Sequence, residues 1–437
     1  MNLASPPPVE DMSSTSIPND EDSSSTLEPS ASPDKAAASQ APAAPQPVRS
    51  LWPRHEPDEI EAVAHVLRSG KVNALVHGEQ NRVFAADFSR FAGMPEGMCL
   101  ANGTLTLEVA LRALGVGPGH EVIVPARSFF ATAGCVLAIG ALPVFADVDP
   151  VSQNIDPASV ERLVTPATRA VICVHLGGWP CDMDALGEIC AEHRLHLIED
   201  CAQAHGATWR GRQVGSFGAA SSFSFCTDKI MSTGGEGGML LLRDHQVWLR
   251  AWAMKDHGKN YAKVSDHTGT PGAFRYVHDT PGSNYRMTEM QAAIGRCQLA
   301  KLPRWLEARR RNAEVLLGAL RDVPGLLLPE PPAEVAHAWY KFTLRLDGPG
   351  PDVEQRRAAV LAALLARGIP AGSGSCPDMS REHALSALPI RRDGSLANAV
   401  DLGRRTLMFP VDHTLAAQDM LRMAEALREV MAETGER

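Results

Sequence analysis

One lysine in the chain lies where its neighbours favour covalent chemistry. Lys229 follows residues 221–225, a predicted strand, and precedes the glycine-rich stretch 234–238. Glycines let a backbone approach a ligand closely, and a lysine amine in a partly desolvated pocket has a lowered pKa and can attack an aldehyde. The ordinary alternative is a surface lysine whose stem lies along apolar neighbours.

A carboxylate at the end of a second predicted strand is the next candidate. Asp200 ends the run 196–200, and α/β sheets form ligand sites at the carboxyl ends of their strands. A buried carboxylate there could hold the proton on the ring nitrogen of pyridoxal 5′-phosphate (PLP), which works as an electron sink only in that form. Asp200 could equally cap a helix beginning at Cys201.

A predicted helix start offers a seat for a phosphate group. Gly103 and Thr104 open a stretch with apolar residues at helical spacing, which predicts a helix over residues 104–114. Unpaired backbone N–H groups at a helix start, together with a threonine hydroxyl, bind anions well. The same two residues are also a common plain cap, so both interpretations of this feature stay open.

Short apolar runs bounded by turn residues predict the sheet that positions these side chains. The runs alternate little, as expected of parallel strands that are covered on both faces. Helical patterns lie between them, and strands alternating with helices indicate a doubly wound α/β sheet. The runs occupy residues 121–124, 143–145, 170–174, 196–198 and 239–242.

The chain divides into three predicted parts. Residues 1–49 are rich in Ser, Pro, Ala and acids, and we expect a disordered tail because they cannot bury enough apolar surface to offset chain entropy. Residues 50–300 form the large predicted domain, whose first segment could pack with the small one. Residues 301–437 form that smaller α+β domain. Its elements are a helix entering at 287–320, a strand at 341–346, and helices at 353–367 and 416–432.

Composition and charge exclude several classes of protein. The hydrophobic fraction of 44% and the charged fraction of 21% are ordinary for a globular protein with a sizeable core. The net charge is −9, with seven acids and two bases in residues 1–49, which argues against nucleic-acid or membrane-surface binding. The nine cysteines include no CxxC pair, which predicts reduced thiols and no metal site. No apolar stretch suits a membrane helix or a secretory signal, so we expect a cytoplasmic protein.

Seven motifs, taken together and in order, carry a resemblance to a known family. The sequence resembles the DegT/DnrJ/EryC1/StrS sugar aminotransferases, within the fold-type I PLP enzymes, over about residues 50–430. The resemblance implies an α/β fold with a large domain, whose mainly parallel sheet is flanked by helices, plus a smaller α+β C-terminal domain. The motifs are ANGT (101–104), VPARSF (124–129), FADVDP (145–150), VHLGG (174–178), IEDCAQAHGA (198–207), SSFSFCTDK (221–229) with GEGG (235–238), and NYRMTEMQA (284–292).

The resemblance implies a role for each candidate residue. Lys229 would form the Schiff base with PLP and then move the proton between the cofactor and substrate carbons. Its presence favours transamination, because dehydratases of the family have histidine there. Asn284 would reach the phosphate bound in a neighbouring subunit, which implies a homodimer with shared active sites. The implied contacts are Asp200 with the pyridinium nitrogen, Gln203 with one ring face or the 3′-oxygen, Phe129 with the other face, Gly103, Thr104 and Ser224 with the phosphate, and Asn284 with the neighbouring subunit's phosphate.

The implied activity moves an amino group from glutamate or glutamine to a keto sugar carried on a nucleotide diphosphate, in polysaccharide or secondary-metabolite synthesis. Two alternatives on the same scaffold stay open: cyclitol amination or amino-hydroxybenzoate synthesis, and a regulatory protein without catalysis. A nucleotide-binding α/β protein is disfavoured, because residues 234–238 match neither GxGxxG nor a Walker pattern. The sugar, the carbon that is aminated and the donor do not follow from the sequence.

Four further polar residues have both plain and functional interpretations. His175 and His205 are most simply a hydrogen-bonded histidine at a strand end and a packing residue. His257 lies in a loop where relatives contact substrate. Arg286 could bind a substrate carboxylate or phosphate through its planar guanidinium, or pair with Glu289 one helical turn later.

Overall fold

Strands alternate with helices through most of the described chain, which comprises residues 46–74, 78–266, 274–348 and 350–435 of a computed structural model. The strands are β1 (Glu96–Leu100), β2 (Glu121–Pro125), β3 (Leu142–Ala146), β4 (Thr168–Val174), β5 (His196–Asp200), β6 (Thr208–Trp209), β7 (Arg212–Gln213), β8 (Ala220–Ser224), β9 (Gly238–Leu242), β10 (Leu326–Leu327), β11 (Val335–Ala336), β12 (Phe342–Leu346), β13 (Arg391–Arg392) and β14 (Thr406–Phe409). The helices are α1 (Pro57–Ser69), α2 (Glu79–Ala92), α3 (Gly103–Ala113), α4 (Ala131–Ala138), α5 (Pro157–Leu163), α6 (Met183–Glu192), α7 (His245–Lys255), α8 (Tyr261–Ser265), α9 (Glu289–Leu320), α10 (Gly350–Ala366), α11 (Ala397–Arg405) and α12 (Ala417–Gly435).

The main sheet has eight strands in the order β1-β9-β8-β5-β4-β2-β3-β13. All neighbours run parallel except on the two sides of β9, which is antiparallel to both β1 and β8. The predicted fold class is confirmed, but the expectation that the run 239–242 is a parallel strand was wrong. Residues 225–237 contain no helix, and without a crossover the chain returns antiparallel beside the strand it has just left.

Alternate side chains of each central strand belong to two separate cores. On β2, Val122 and Val124 pack with α3 and α4 on one face of the sheet. Ile123 packs on the other face with Val160 of α5 and Leu186 of α6. All five side chains are fully buried, and each contributes about 1.5–3 kcal/mol relative to exposure. Coverage of both faces explains why these strands are continuous apolar runs.

A second, antiparallel sheet lies in the last part of the chain, in the order β10-β12-β14. Its β12 alternates between buried and half-buried residues, because only one face is covered. Phe342 and Leu344 of that strand pack with Val360 of α10 and Leu427 of α12. No helix in the described part of the chain is long and apolar enough to cross a membrane.

The folded unit begins slightly before the predicted end of the tail. Val48 is 5% exposed, packs in the same core as β12, and donates its N–H to the Gly368 carbonyl at 2.9 Å. The tail end at residue 49 was therefore placed too late, since one valine among prolines forms no pattern; the rest of the predicted tail lies outside the described residues. The domain boundary near residue 300 stays a prediction, because α9 runs through it.

Helix α9 begins at a capping box in which Thr288 and Gln291 each accept a hydrogen bond from the other's backbone N–H. Glu289, in its first turn, is buried and accepts the N–H groups of Gln80 and Asn81 at 2.7 and 3.1 Å. The predicted pairing of Arg286 with Glu289 was wrong, because this carboxylate instead satisfies the open N–H groups at the start of α2.

Candidate active site

A cavity of about 640 Å³ lies at the carboxyl ends of β5 and β8 and beside the start of α3. Parallel strands all end at the same edge of a sheet, which is why motifs far apart in sequence meet here. The structure brings seven of the eight predicted site residues to the wall of this cavity. They are Gly103, Thr104, Phe129, Asp200, Gln203, Ser224 and Lys229.

Asp200 is buried at the end of β5, with only part of its hydrogen-bonding capacity used. Its Oδ2 accepts from the Thr132 hydroxyl at 3.1 Å, and its Oδ1 accepts from the Ala202 N–H at 3.2 Å. Burial raises the pKa of this carboxyl group above its ordinary value. The alternative as a helix cap was wrong, because residues 201–207 form turns rather than a helix. A cationic partner would stabilise the charged form.

The neighbouring residue of β5, Glu199, faces the other way and is saturated. Its two carboxylate oxygens accept the N–H groups of Gly215, Phe217 and Gly218 at 2.6–2.7 Å. It also lies 3.3 Å from Nε2 of the buried His175. Four partners leave little capacity for a ligand, so Glu199 holds the loop before β8 in place.

His175 has the structural role that its plain interpretation predicts. Its Nδ1 accepts the Cys181 N–H at 3.0 Å, while Nε2 faces Glu199. Together with Cys201, these two side chains bring possible metal ligands within 4.8 Å of one another. We assign no metal there, because hydrogen bonds already occupy the imidazole and the carboxylate, and the absence of a metal stays a prediction.

Lys229 is held at both its backbone and its amine. Its carbonyl accepts the Trp52 indole N–H at 2.7 Å, although Trp52 belongs to the segment before α1. Its Nζ lies 3.3 Å from Oδ1 of Asp228 and 5.2 Å from the centre of the Tyr340 ring. The Tyr340 hydroxyl in turn donates a hydrogen bond to Asp228. The amine is therefore half-buried and has the carboxylate of Asp228 and the ring of Tyr340 as its neighbours.

The start of α3 forms a cradle that suits a phosphate. Asn102 caps the helix by accepting the Leu105 N–H at 2.9 Å, and the preceding N–H groups stay open. A Cβ on Gly103 would lie 2.7 Å from the Cβ of Ser224. Only glycine therefore lets the end of β8 approach the helix start and place a serine hydroxyl there. Anions bind at such N-termini.

Two further cavity residues differ in how firmly they are fixed. Gln203 is buried, and its Oε1 accepts the Gly177 N–H at 2.7 Å, which fixes the direction of its amide. Phe129 is 70% exposed, which leaves its ring face available at the cavity wall. Its stacking on a cofactor ring stays a prediction.

Three predicted residues lie away from the cavity wall. Asn284 is exposed and does not line the cavity, and its contact with a second subunit stays a prediction. Arg286 donates from Nη1 to Oδ1 of the buried Asp256 at 2.8 Å, so its guanidinium is engaged within the chain. His257 is exposed on a turn, and its contact with substrate stays a prediction.

Thr132, Asp228 and Tyr340 are site residues whose roles were not predicted from the sequence. Thr132 is the second residue of α4 and lies three residues beyond the end of the VPARSF motif at Phe129. Asp228 precedes the lysine directly, and its acidity could have drawn attention. Tyr340 comes from the section before β12, 112 residues from the aspartate it contacts, so no local pattern indicates it.

The chain belongs to the DegT/DnrJ/EryC1/StrS aminotransferase family, whose model matches residues 53–428. The dTDP-3-amino-3,4,6-trideoxy-alpha-D-glucose transaminase of Streptomyces venezuelae is 35% identical over 370 residues, covering 84% of this chain and 90% of that protein. The L-glutamine:2-deoxy-scyllo-inosose aminotransferase of Micromonospora echinospora is 39% identical over 332 residues, covering 73% and 78%. The crystal structure of an aminotransferase from Psychrobacter cryohalolentis has a TM-score of 0.83 and 41% identity, covering 88% of this chain and 99% of that one.

These comparisons confirm the predicted family and a PLP-dependent aminotransferase. The residues in the cavity fit PLP. A buried carboxylate with spare hydrogen-bonding capacity suits a protonated ring nitrogen, an open helix start suits the phosphate, and a half-buried lysine lines the same cavity. The particular contact of each residue with the cofactor stays a prediction.

Proposed function

We propose that the protein transfers an amino group from glutamate or glutamine to a keto sugar carried on a nucleotide diphosphate. The observation that carries the proposal is the meeting of Lys229, Asp200 and the Gly103–Ser224 cradle in one cavity. The named activities of the relatives support the substrate class, since one acts on a dTDP-linked amino sugar and another uses L-glutamine with a cyclitol. The setting would be polysaccharide or secondary-metabolite synthesis.

PLP, when bound, supplies an electron sink that stabilises negative charge on the substrate carbon. Asp200 would hold the proton on the ring nitrogen, because a buried carboxylate is stabilised by a cation beside it. Gly103, Thr104 and Ser224 would hold the phosphate. The ring would lie between Phe129 and the amide of Gln203, whose direction the Gly177 N–H fixes.

Lys229 would have two successive roles, covalent attachment and proton transfer. As a free amine, Lys229 would act as the general base that takes a proton from the substrate carbon and as the acid that returns it. Asp228 would hold the protonated amine between these steps, and Tyr340 would orient Asp228. The same amine would serve both half-reactions.

Assembly and location follow as parts of the same proposal. A homodimer with shared active sites is supported by Asn284 and Phe129, which are both exposed in the single chain. Asn284 would reach the phosphate in the neighbouring subunit. A cytoplasmic location is supported by the cysteines, since all nine belong to the described residues and all are free thiols.

A keto cyclitol is the second candidate acceptor, because the relative with 39% identity is a cyclitol aminotransferase. The experiment treats the holoenzyme with glutamate or glutamine until the cofactor spectrum shifts, removes the donor, and then adds nucleotide-linked keto sugars or keto-inososes. We expect one acceptor class to restore the first spectrum and to gain an amine by mass spectrometry. A spectrum that no donor shifts would contradict the enzyme proposal and favour a regulatory protein.

A further inference from the structure

A buried arginine beside the cavity has no charge partner. Arg127 follows β2 and is 1% exposed. Its Nε donates to Oε1 of Gln153 at 2.9 Å, whereas its Nη1 is buried without any hydrogen-bond partner. Within the described residues, no carboxylate oxygen lies within 4.0 Å of this guanidinium. A buried cation without a carboxylate is costly unless a ligand supplies the anion.

Arg127 lines a small recess that adjoins the active-site cavity. The recess has a volume of about 30 Å³, enough for about two water-sized groups but not for a sugar ring. Lys341, half-buried and without an ion-pair partner among the residues the structure describes, is a second cation in its wall. The residues that line both the recess and the cavity are Gln203, Tyr340, Gly374, Ser375 and Met408.

The backbone around the guanidinium is shaped to hold it in place. Gln153, its Nε partner, is a non-glycine residue with a φ of 66°, a conformation that costs free energy and is common at functional sites. Gly374 has a φ of 87°, and a Cβ there would lie 3.0 Å from Nη2 of Arg127. A larger residue at position 374 would fill the space beside the guanidinium.

A purely structural arginine in the same protein looks different. Arg309 is also 1% exposed, its Nε is also unpaired, and within the described residues no carboxylate forms an ion pair with it. Its Nη1, however, donates to the carbonyls of Trp339 and Tyr340, both at 3.2 Å. Arg309 therefore ties two chain segments together. Arg127 makes one side-chain hydrogen bond and keeps the outer end of its guanidinium unused.

We propose that Arg127, supported by Lys341, binds a carboxylate of the amino donor in this recess. The inference rests on the proposed function, because it assigns the donor subsite of the same cavity. A guanidinium binds a carboxylate through two parallel hydrogen bonds, and the recess is large enough for that group alone. The cofactor phosphate has its own seat at Gly103 and Ser224, and a nucleotide diphosphate is too large for the recess. Glutamate and glutamine both carry the required group.

Binding of an unreactive dicarboxylate to the holoenzyme tests the proposal without catalysis. Glutarate has the two carboxylates of glutamate but no amine, and calorimetry measures its Kd. We expect Arg127→Gln to weaken glutarate binding by about tenfold or more, because a buried ion pair is lost. The Kd of Arg127→Lys should lie between those of wild type and Arg127→Gln, since lysine keeps the charge but cannot form two parallel hydrogen bonds. Arg345→Gln is the matched control, because Arg345 lies on the same face of β12 as the recess residue Thr343 and should change Kd less than about twofold.

The two half-reactions then separate the donor from the acceptor. With L-glutamate in single turnovers, Arg127→Gln should raise the concentration for half-maximal rate much more than it lowers the limiting rate. Equal glutarate binding in wild type and variant would overturn the proposal, as would a defect confined to the keto-sugar half-reaction. If Arg127→Gln fails to fold, Arg127→Lys carries the test. A wild type that binds glutarate but aminates no keto sugar would contradict the proposed acceptor and leave the donor subsite standing.

Discussion

Two buried cations in this protein have opposite surroundings. At the contact of α1 with α9, Lys301 Nζ lies 2.6 Å from Asp58, 2.7 Å from Glu59 and 2.9 Å from Glu56. Burial alone would lower the pKa of Lys301, but these hydrogen bonds raise it above its ordinary value. Beside the cavity, burial lowers the pKa of Arg127 to about 10, and no carboxylate in the described part of the chain offsets this effect. A cation that is neutralised in place stabilises the fold, whereas one that is not stays available for a ligand.

The same contrast separates two adjacent carboxylates on β5. Glu199 has four hydrogen-bond partners and fixes a loop, while Asp200 has two and faces the cavity. Successive side chains of a strand point to opposite faces, so one pentapeptide strand serves both purposes. Unused hydrogen-bonding capacity, rather than burial alone, therefore distinguishes the site from its support.

Asp200→Asn should produce the largest effect on activity. A neutral amide cannot hold the proton on the cofactor ring, so we expect the donor half-reaction to slow on the order of a thousandfold. Rapid-mixing absorbance with glutamate measures the rate. Glu199→Gln, the matched change one residue earlier, should instead lower the free energy of unfolding by about 3 kcal/mol. A fast Asp200→Asn variant would contradict the role of this carboxylate.

Glu59→Gln and Arg127→Gln should separate stability from binding. Glu59 is buried against Lys301, and its loss leaves that ammonium less neutralised, so we expect a loss of about 3 kcal/mol in unfolding free energy. Arg127→Gln removes a cation that has no carboxylate partner, so stability should change little or rise. Denaturant unfolding measures both. A large loss of stability in Arg127→Gln would show that the guanidinium stabilises the fold, as Lys301 does, and is not kept for a ligand.

One buried and two half-buried histidines give the protein a predictable loss of stability in acid. Burial lowers the pKa of His205 and His337 to about 3 and that of His413 to about 4. Unfolded histidine binds its proton near pH 6.5, so the unfolded chain gains protons first as pH falls. The free energy of unfolding should therefore drop by about 2 kcal/mol per histidine between pH 6.5 and 5.

Removing one of these histidines sharpens that test. His205 packs against the rings of Phe88, Phe223 and Phe225, so His205→Leu keeps an apolar contact there. The variant should lose stability less steeply between pH 6.5 and 5 than wild type, by about 2 kcal/mol. If wild type and variant lose the same unfolding free energy between pH 6.5 and 5, His205 is not buried as a neutral imidazole.

Trp52→Phe should have the smallest effect of the set. The indole N–H supports the Lys229 carbonyl, and one such hydrogen bond contributes about 1 kcal/mol. We expect a donor half-reaction slowed several-fold, with the cofactor still attached. Trp305→Phe is the control, because Trp305 contacts the Trp52 ring without a hydrogen bond to Lys229. Equal rates in both variants would show that Trp52 only fills space.

Much of the fold could be predicted because its strands are short apolar runs with turn residues at both ends. The five predicted runs all became strands, and the strand ends placed Asp200 and Ser224 at one edge. The direction of β9 did not follow, because apolar content is the same in parallel and antiparallel strands that are covered on both faces. The lack of a helix between β8 and β9 was the available signal.

The site was harder to predict where residues distant in sequence complete it. Thr132 contacts a carboxylate 68 residues away, and Tyr340 contacts one 112 residues away. Neither contact has a local pattern. Arg127 lies inside the VPARSF motif, yet the sequence alone does not show that its side chain is buried without a counter-charge. That property depends on which groups the fold brings near it.

The most direct test of the account locates the covalent attachment of the cofactor. The holoenzyme is reduced with borohydride, which makes the link to a lysine permanent, and its peptides are mapped by mass spectrometry. We predict the added mass of reduced PLP on Lys229 alone, and none in Lys229→Ala treated in the same way. Attachment at another lysine, such as the buried Lys255 or the half-buried Lys341, or no attachment in the wild type, would contradict the assignment of this cavity as the active site.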